Sequence, residues 1–132
     1  MLNARPLIFA PHRFGWRRTE TFIVKKLEAI IKPFKLEEVK EALAELGIEG
    51  ITVCEVKGYQ PMNGAPVGSA HLSDLHPKFK VEVVIPATLI DRAVRSVLAA
   101  ARTGLVGDGK VFVSSVEQVI RIRTEETGLA AI

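Results

Sequence analysis

The chain of 132 residues has room for one domain around a single sizeable core, and its 48% hydrophobic and 25% charged residues describe an ordinary globular protein rather than a disordered one. Its single cysteine, Cys54, excludes an intrachain disulfide and a zinc site of paired cysteines, which makes a reduced, cytoplasmic setting the expectation. The net charge of +3 does not point to nucleic acid: Arg5, Arg13, Arg17 and Arg18 against Glu20 account for all of it, leaving the remaining chain neutral.

Residues 1–21 are expected to be a disordered basic extension to a domain spanning 22–132. They do not make a signal peptide, because the apolar stretch Leu7 to Ala10 is bracketed by Pro6 and Pro11 and is too short. No run approaches the roughly 20 apolar residues of a membrane span, so no membrane insertion is expected.

From Phe22 onward the pattern becomes orderly. Lys26 to Ile31 reads as a strand stopped by Pro33. Leu36, Val39, Leu43 and Leu46 recur at helical spacing, and Gly47 follows as a stop signal. Ile51 to Val56 is rich in β-branched residues and predicts a second strand, in which Cys54 is expected to be a buried structural thiol. Gly58 to Pro77 lacks periodicity, and a loop of that length in a small domain is functional or disordered.

Phe79 to Ile85 alternates as a half-buried strand, with Val81, Val83 and Ile85 on one face, and Pro86 ends it. Leu89 to Ala101 carries an amphipathic helical pattern, with Thr88 as its expected N-cap. A glycine-rich turn, Gly104 to Gly109, leads into a strand predicted from Lys110 to Ile122. This order predicts an α+β fold, the ferredoxin-like βαββαβ sandwich. Helices on one face only leave the other face of the sheet to be covered by self-association.

Gly104 to Lys110 matches the outline of a phosphate loop, but Val111 stands where Ser or Thr would hold magnesium, and the turn runs from helix to strand. It is either a plain connection or an anion site in which glycine N–H groups and Lys110 face a ligand. Arg121 and Arg123, two apart on the predicted strand, would project from one face, where an anion would relieve their repulsion. Catalysis finds no general base. His71, Asp74 and His76 are the candidates for a loop metal site, without strong ligand spacing.

Several of these segments together resemble the PII signal-transduction family: Ala29 to Lys35 (AIIKPFK), Gly50 to Val53 (GITV), Glu55 to Gly58 (EVKG), Thr103 to Lys110 (TGLVGDGK) and Ile120 to Arg123 (IRIR). The likeness runs from about Val24 to Ile132. It implies a homotrimer that senses ATP or ADP in the cleft between subunits and controls a transporter or enzyme through the loop at about 58–77. Carried over, Gly50, Ile51 and Thr52 would hold the adenine, with Ile30 and Val84 lining its pocket. Gly107, Asp108, Gly109 and Lys110 would hold the phosphates, and Arg121 and Arg123 would reach in from the neighbouring subunit. Gly58 and Lys78 are expected among the nucleotide-binding residues, Lys57 and Lys78 stand at the loop's two roots, and Lys32 and Lys78 match residues around the family's 2-oxoglutarate pocket.

The loop departs from the family pattern. Met62 stands where members place the glutamine that coordinates magnesium and 2-oxoglutarate, and a thioether is a poor ligand for a hard cation. Gln60, beside Pro61, is the nearest substitute. Binding of Mg2+ and 2-oxoglutarate is therefore expected to be weak or absent. His71 falls where uridylylated members carry tyrosine, and Ser69 where some members carry a phosphorylated serine. A metal-binding trimer of the same fold, or a slow ATPase, are the alternatives to a nucleotide sensor.

Overall fold

The computed structural model describes residues 23–59 and 75–132. Four strands form one antiparallel sheet: β1 (Val24–Ile31), β2 (Thr52–Gly58), β3 (His76–Pro86) and β4 (Lys110–Ser115), in the order β2-β3-β1-β4. Two helices, α1 (Leu36–Ala44) and α2 (Ile90–Ala101), connect β1 to β2 and β3 to β4. This is the ferredoxin-like α+β arrangement expected from the element order.

Alternation along the two central strands builds the core. Leu27, Ala29 and Ile31 of β1 and Val81, Val83 and Ile85 of β3 turn to the helices, where they meet Val39, Leu43, Ala93, Val97 and Ala101. The register explains the match, since Leu27 pairs with Val83 and Ala29 with Val81. Each fully buried aliphatic side chain contributes about 1.5–3 kcal/mol.

The other face carries Lys26, Glu28, Ile30, Lys80, Glu82 and Val84 of the central strands. Glu28 and Glu82 are directly opposed across β1 and β3. Each is answered on a diagonal: Lys26 lies 3.2 Å from Glu82 and Lys80 lies 3.3 Å from Glu28. The Glu28 carboxylate, by hydrogen bond and charge, raises the Lys80 pKa above its ordinary value.

Several local expectations are corrected. Cys54 is exposed rather than buried, because its strand lies at the sheet edge and its partner Lys80 belongs to the open face. Thr88 does not cap α2. The chain enters that helix through a 3₁₀ turn, Ala87–Leu89, and no side chain caps either start. β3 begins at His76, inside the segment expected to be loop. Pro77 is tolerated there because β1 pairs with β3 only as far as Phe79.

The last strand is half its expected length. β4 pairs with β1 up to Ser115 opposite Lys25, and the Val116 amide donates to the Val24 carbonyl. There β1 runs out, so Val119, Ile120 and Ile122 find no ladder to extend. Beyond it, an isolated bridge joins Ile120 to Thr127, and the Arg121 amide donates to the Glu126 carbonyl at 2.9 Å.

Candidate functional site

The glycine-rich turn between α2 and β4 is built by backbone positions that ordinary residues avoid. Gly104, Gly107 and Gly109 all have positive φ, at 85°, 96° and 98°. At Gly109 there is a second demand: a Cβ would overlap the Ile30 carbonyl oxygen, so only glycine lets the turn press onto the end of β1.

Asp108 ties the turn together. Its Oδ2 accepts from the amides of Thr103 and Gly104, both at 2.9 Å, and its Oδ1 accepts from the Thr103 hydroxyl. Lys32 lies 3.2 Å from the same Oδ1 and also donates to Thr103 Oγ1 at 3.0 Å. The Thr103 hydroxyl and amide, with smaller help from Gly104 and Lys32, hold the Asp108 carboxyl far below the usual carboxylate range. Across the turn, Lys78 Nζ donates to the Gly107 carbonyl.

An open cavity of about 930 Å³ lies against this turn. Ile30, Gly58, Lys78, Gly107, Gly109 and Lys110 line it, together with Tyr59, His76, Leu105, Val106 and Phe112. Lys110 and Phe112 share the open face of the sheet, opposite Ile30 and Glu28. Phe112 was within reach of sequence reading, since it lies two residues past Lys110 on a strand. Thr103 and Lys32, by contrast, carry no local signal that ties them to Asp108.

A second cavity, of about 820 Å³, lies at the opposite end of the strands. Gly50, Thr52, Glu82, Val84 and Arg121 line it, with the C-terminal residues Leu129 and Ile132. One copy of the chain therefore separates Gly50, Thr52 and Val84 from Ile30, Lys110 and the glycine turn. Thr52 and Lys110 stand on the two edge strands with β3 and β1 between them, and Thr52 is level with Glu82, Glu28 and Phe112, two residues along the sheet from Lys110. Ile51, between Gly50 and Thr52, packs against the core.

The shared face expected of Arg121 and Arg123 is corrected, because no strand continues to them. Arg123 is exposed in the turn that joins Ile120 to Thr127. The Arg121 guanidinium donates to the Ala130 carbonyl at 3.1 Å and lies 3.7 Å from Glu126. Gln60, Pro61, Met62, Ser69, His71 and Asp74 lie outside the described residues, as do residues 1–21. Among the described residues, no three His, Cys, Asp or Glu side chains come together as a metal site.

The model of the nitrogen regulatory protein P-II family matches residues 24–126, which takes in both cavities' strands and the turn. The chain belongs to the P-II family. A P-II protein of Bradyrhizobium diazoefficiens is 54% identical over 112 residues, covering 83% of this chain and 100% of that one. One from Escherichia coli is 50% identical with the same coverage. The crystal structure of Arabidopsis thaliana PII bound to citrate superposes with a TM-score of 0.71 at 34% identity, over 83% of this chain and 90% of that one. The P-II chain described here is thus a regulatory, signal-transducing protein of a family whose members are not enzymes. Among the described residues no helix is long and apolar enough to cross a membrane.

Proposed function

We propose that this protein senses adenine nucleotides, ATP or ADP, in a cleft closed by two subunits of a homotrimer. The bound nucleotide then controls a partner transporter or enzyme through the segment between Gly58 and Pro77. The carrying observation is the division of the site residues between two cavities at opposite ends of the same strands. One holds the basic, glycine-rich half and the other holds Gly50, Thr52, Val84 and Arg121. Docking one subunit's second cavity against its neighbour's first would join the halves. In that assembly the adenine-side residues arrive from the neighbour along with Arg121, rather than Arg121 and Arg123 alone.

The donor set suits a polyphosphate. Lys110 supplies a full charge, and the positive-φ glycines leave backbone amides without side chains to shield them. Ile30 and Phe112 add apolar surface for a base, the usual mixture in a ligand cleft. The citrate carried by the Arabidopsis relative is likewise a small polyanion. Weak or absent 2-oxoglutarate binding belongs to the same proposal and rests on Met62.

Calorimetric titration with ADP and ATP tests the reading. One site per subunit is expected, and Lys110→Ala should weaken binding by roughly tenfold to a hundredfold, the effect of losing one charge-assisted contact. Wild-type protein that gives no heat with either nucleotide would sink it.

A further inference from the structure

The phosphate turn presents a difficulty for any anionic ligand, because Asp108 places a carboxylate in its middle. A carboxylate has about four acceptor positions. Here four donors meet it: the Thr103 and Gly104 amides on Oδ2, and the Thr103 hydroxyl and Lys32 on Oδ1. The Lys32 and Asp108 side chains are only 15% and 25% exposed, so the ion pair is shielded on most sides and no acceptor position is left for a ligand or its metal.

We propose that Asp108 is a positioning residue whose carboxylate contacts no ligand. Together with Thr103 and Lys32 it forms a clasp that holds the turn open for phosphate and cancels its own charge. Three features support this division of labour. The clasp closes the two ends of the turn onto each other, Thr103 and Gly104 at one end and Asp108 at the other. It fixes the chain direction just before Gly109, whose contact with Ile30 allows no other residue. And it neutralises Asp108 locally, so that Lys110 and the second lysine at the turn, Lys78, set the sign of the cavity. Lys32 comes from the chain just past the end of β1, so the clasp also pins the turn to the centre of the sheet.

The proposal rests on the nucleotide reading only for the ligand's location, and two separate measurements keep the two apart. In nucleotide-free, full-length protein, amide exchange reads the clasp directly. Asp108→Ala should speed exchange at the Thr103 and Gly104 amides by about tenfold or more, with Leu27 and Val83 in the core unchanged. Asp108→Asn, which keeps one acceptor oxygen, should fall between that variant and wild type, and it serves if the alanine variant does not fold. Unchanged protection at Thr103 and Gly104 in both variants would overturn the clasp.

The second measurement is a double-substitution cycle read by ADP affinity. Lys32→Met and Asp108→Asn should each weaken ADP binding by about tenfold. The pair together should do little worse than the weaker-binding single variant, because both dismantle one unit. Losses that multiply would mean that Asp108 acts on the ligand independently of Lys32, and the proposal would fall. If wild-type protein binds no ADP, the nucleotide reading fails while the exchange data still decide the clasp.

Discussion

Two glycines of the turn between α2 and β4 show how differently the same residue type is constrained. Gly104 and Gly109 both have positive φ, but a Cβ at Gly104 meets nothing within 4 Å, whereas at Gly109 it overlaps the backbone of Ile30. Gly104→Ala should therefore cost only the left-handed penalty of about 1–2 kcal/mol. Gly109→Ala must also separate the turn from β1, so its loss in urea unfolding should exceed that of Gly104→Ala by about 1–3 kcal/mol. Equal losses would show that the turn yields easily at both positions. Asp108 carries a pH signature with a definite sign. Its pKa is lowered from the ordinary 3.8 in the folded protein, so its contribution is complete above that value and is lost as pH falls through the lower, folded one. The stability gap between wild type and Asp108→Asn should be flat from neutral pH down to about 5 and close only in stronger acid.

At the level of elements, the end of α1 shows sequence and geometry in full agreement. Gly47 takes φ 83°, its amide donates to the Ala44 carbonyl at 2.9 Å, and the Ile48 amide reaches back to Leu43 at 3.2 Å. That is the Schellman arrangement, with Leu43 and Ile48 both in the core beneath it. Gly47→Ala meets no atom within 4 Å and should cost the left-handed penalty of about 1–2 kcal/mol in denaturant unfolding. Leu43→Ala removes a fully buried side chain and should cost about 2–5 kcal/mol. A smaller loss for Leu43→Ala than for Gly47→Ala would contradict the packing described here. The start of α2 is the counterexample. Thr88 has the right chemistry for a cap, but Pro86 turns the chain two residues earlier, and the 3₁₀ turn takes the place the cap would have had.

For the whole molecule, the uncovered sheet face is the dominant fact. Phe112 there is 50% exposed, and the surrounding lysines and glutamates are matched within the face by the Lys26–Glu82 and Lys80–Glu28 pairs. Pairs this accessible contribute about 0–1 kcal/mol each, so they hold the face in order more than they stabilise the fold. A neighbour can cover the centre of such a face without leaving these four charges unpaired. Light scattering should accordingly report a trimer at all workable concentrations, and Phe112→Asp should shift it toward monomer by placing a carboxylate beside Glu28. Deleting residues 1–21 should leave the trimer intact. A stable wild-type monomer would refute the composite cleft as well as the assembly.

Local chemistry determined most of the fold without help. Period-two alternation in β3, helical spacing in α1 and α2, and Gly47 at the end of α1 each depend on residues close together in the chain, so they were legible in the sequence. The glycine-rich turn after α2 was legible as well, because glycines in that density signal a turn locally. Only the tertiary structure decided where β4 stops, because that depends on how far its partner β1 extends. The same holds for Cys54, whose exposure follows from β2 being an edge strand. It holds again for the site. Lys32, Thr103 and Asp108 meet across 71 residues of sequence, between the end of β1 and the turn after α2. Gly50 and Lys110, read together as one pocket, lie at opposite ends of the strands, because strand direction and order are properties of the assembled sheet.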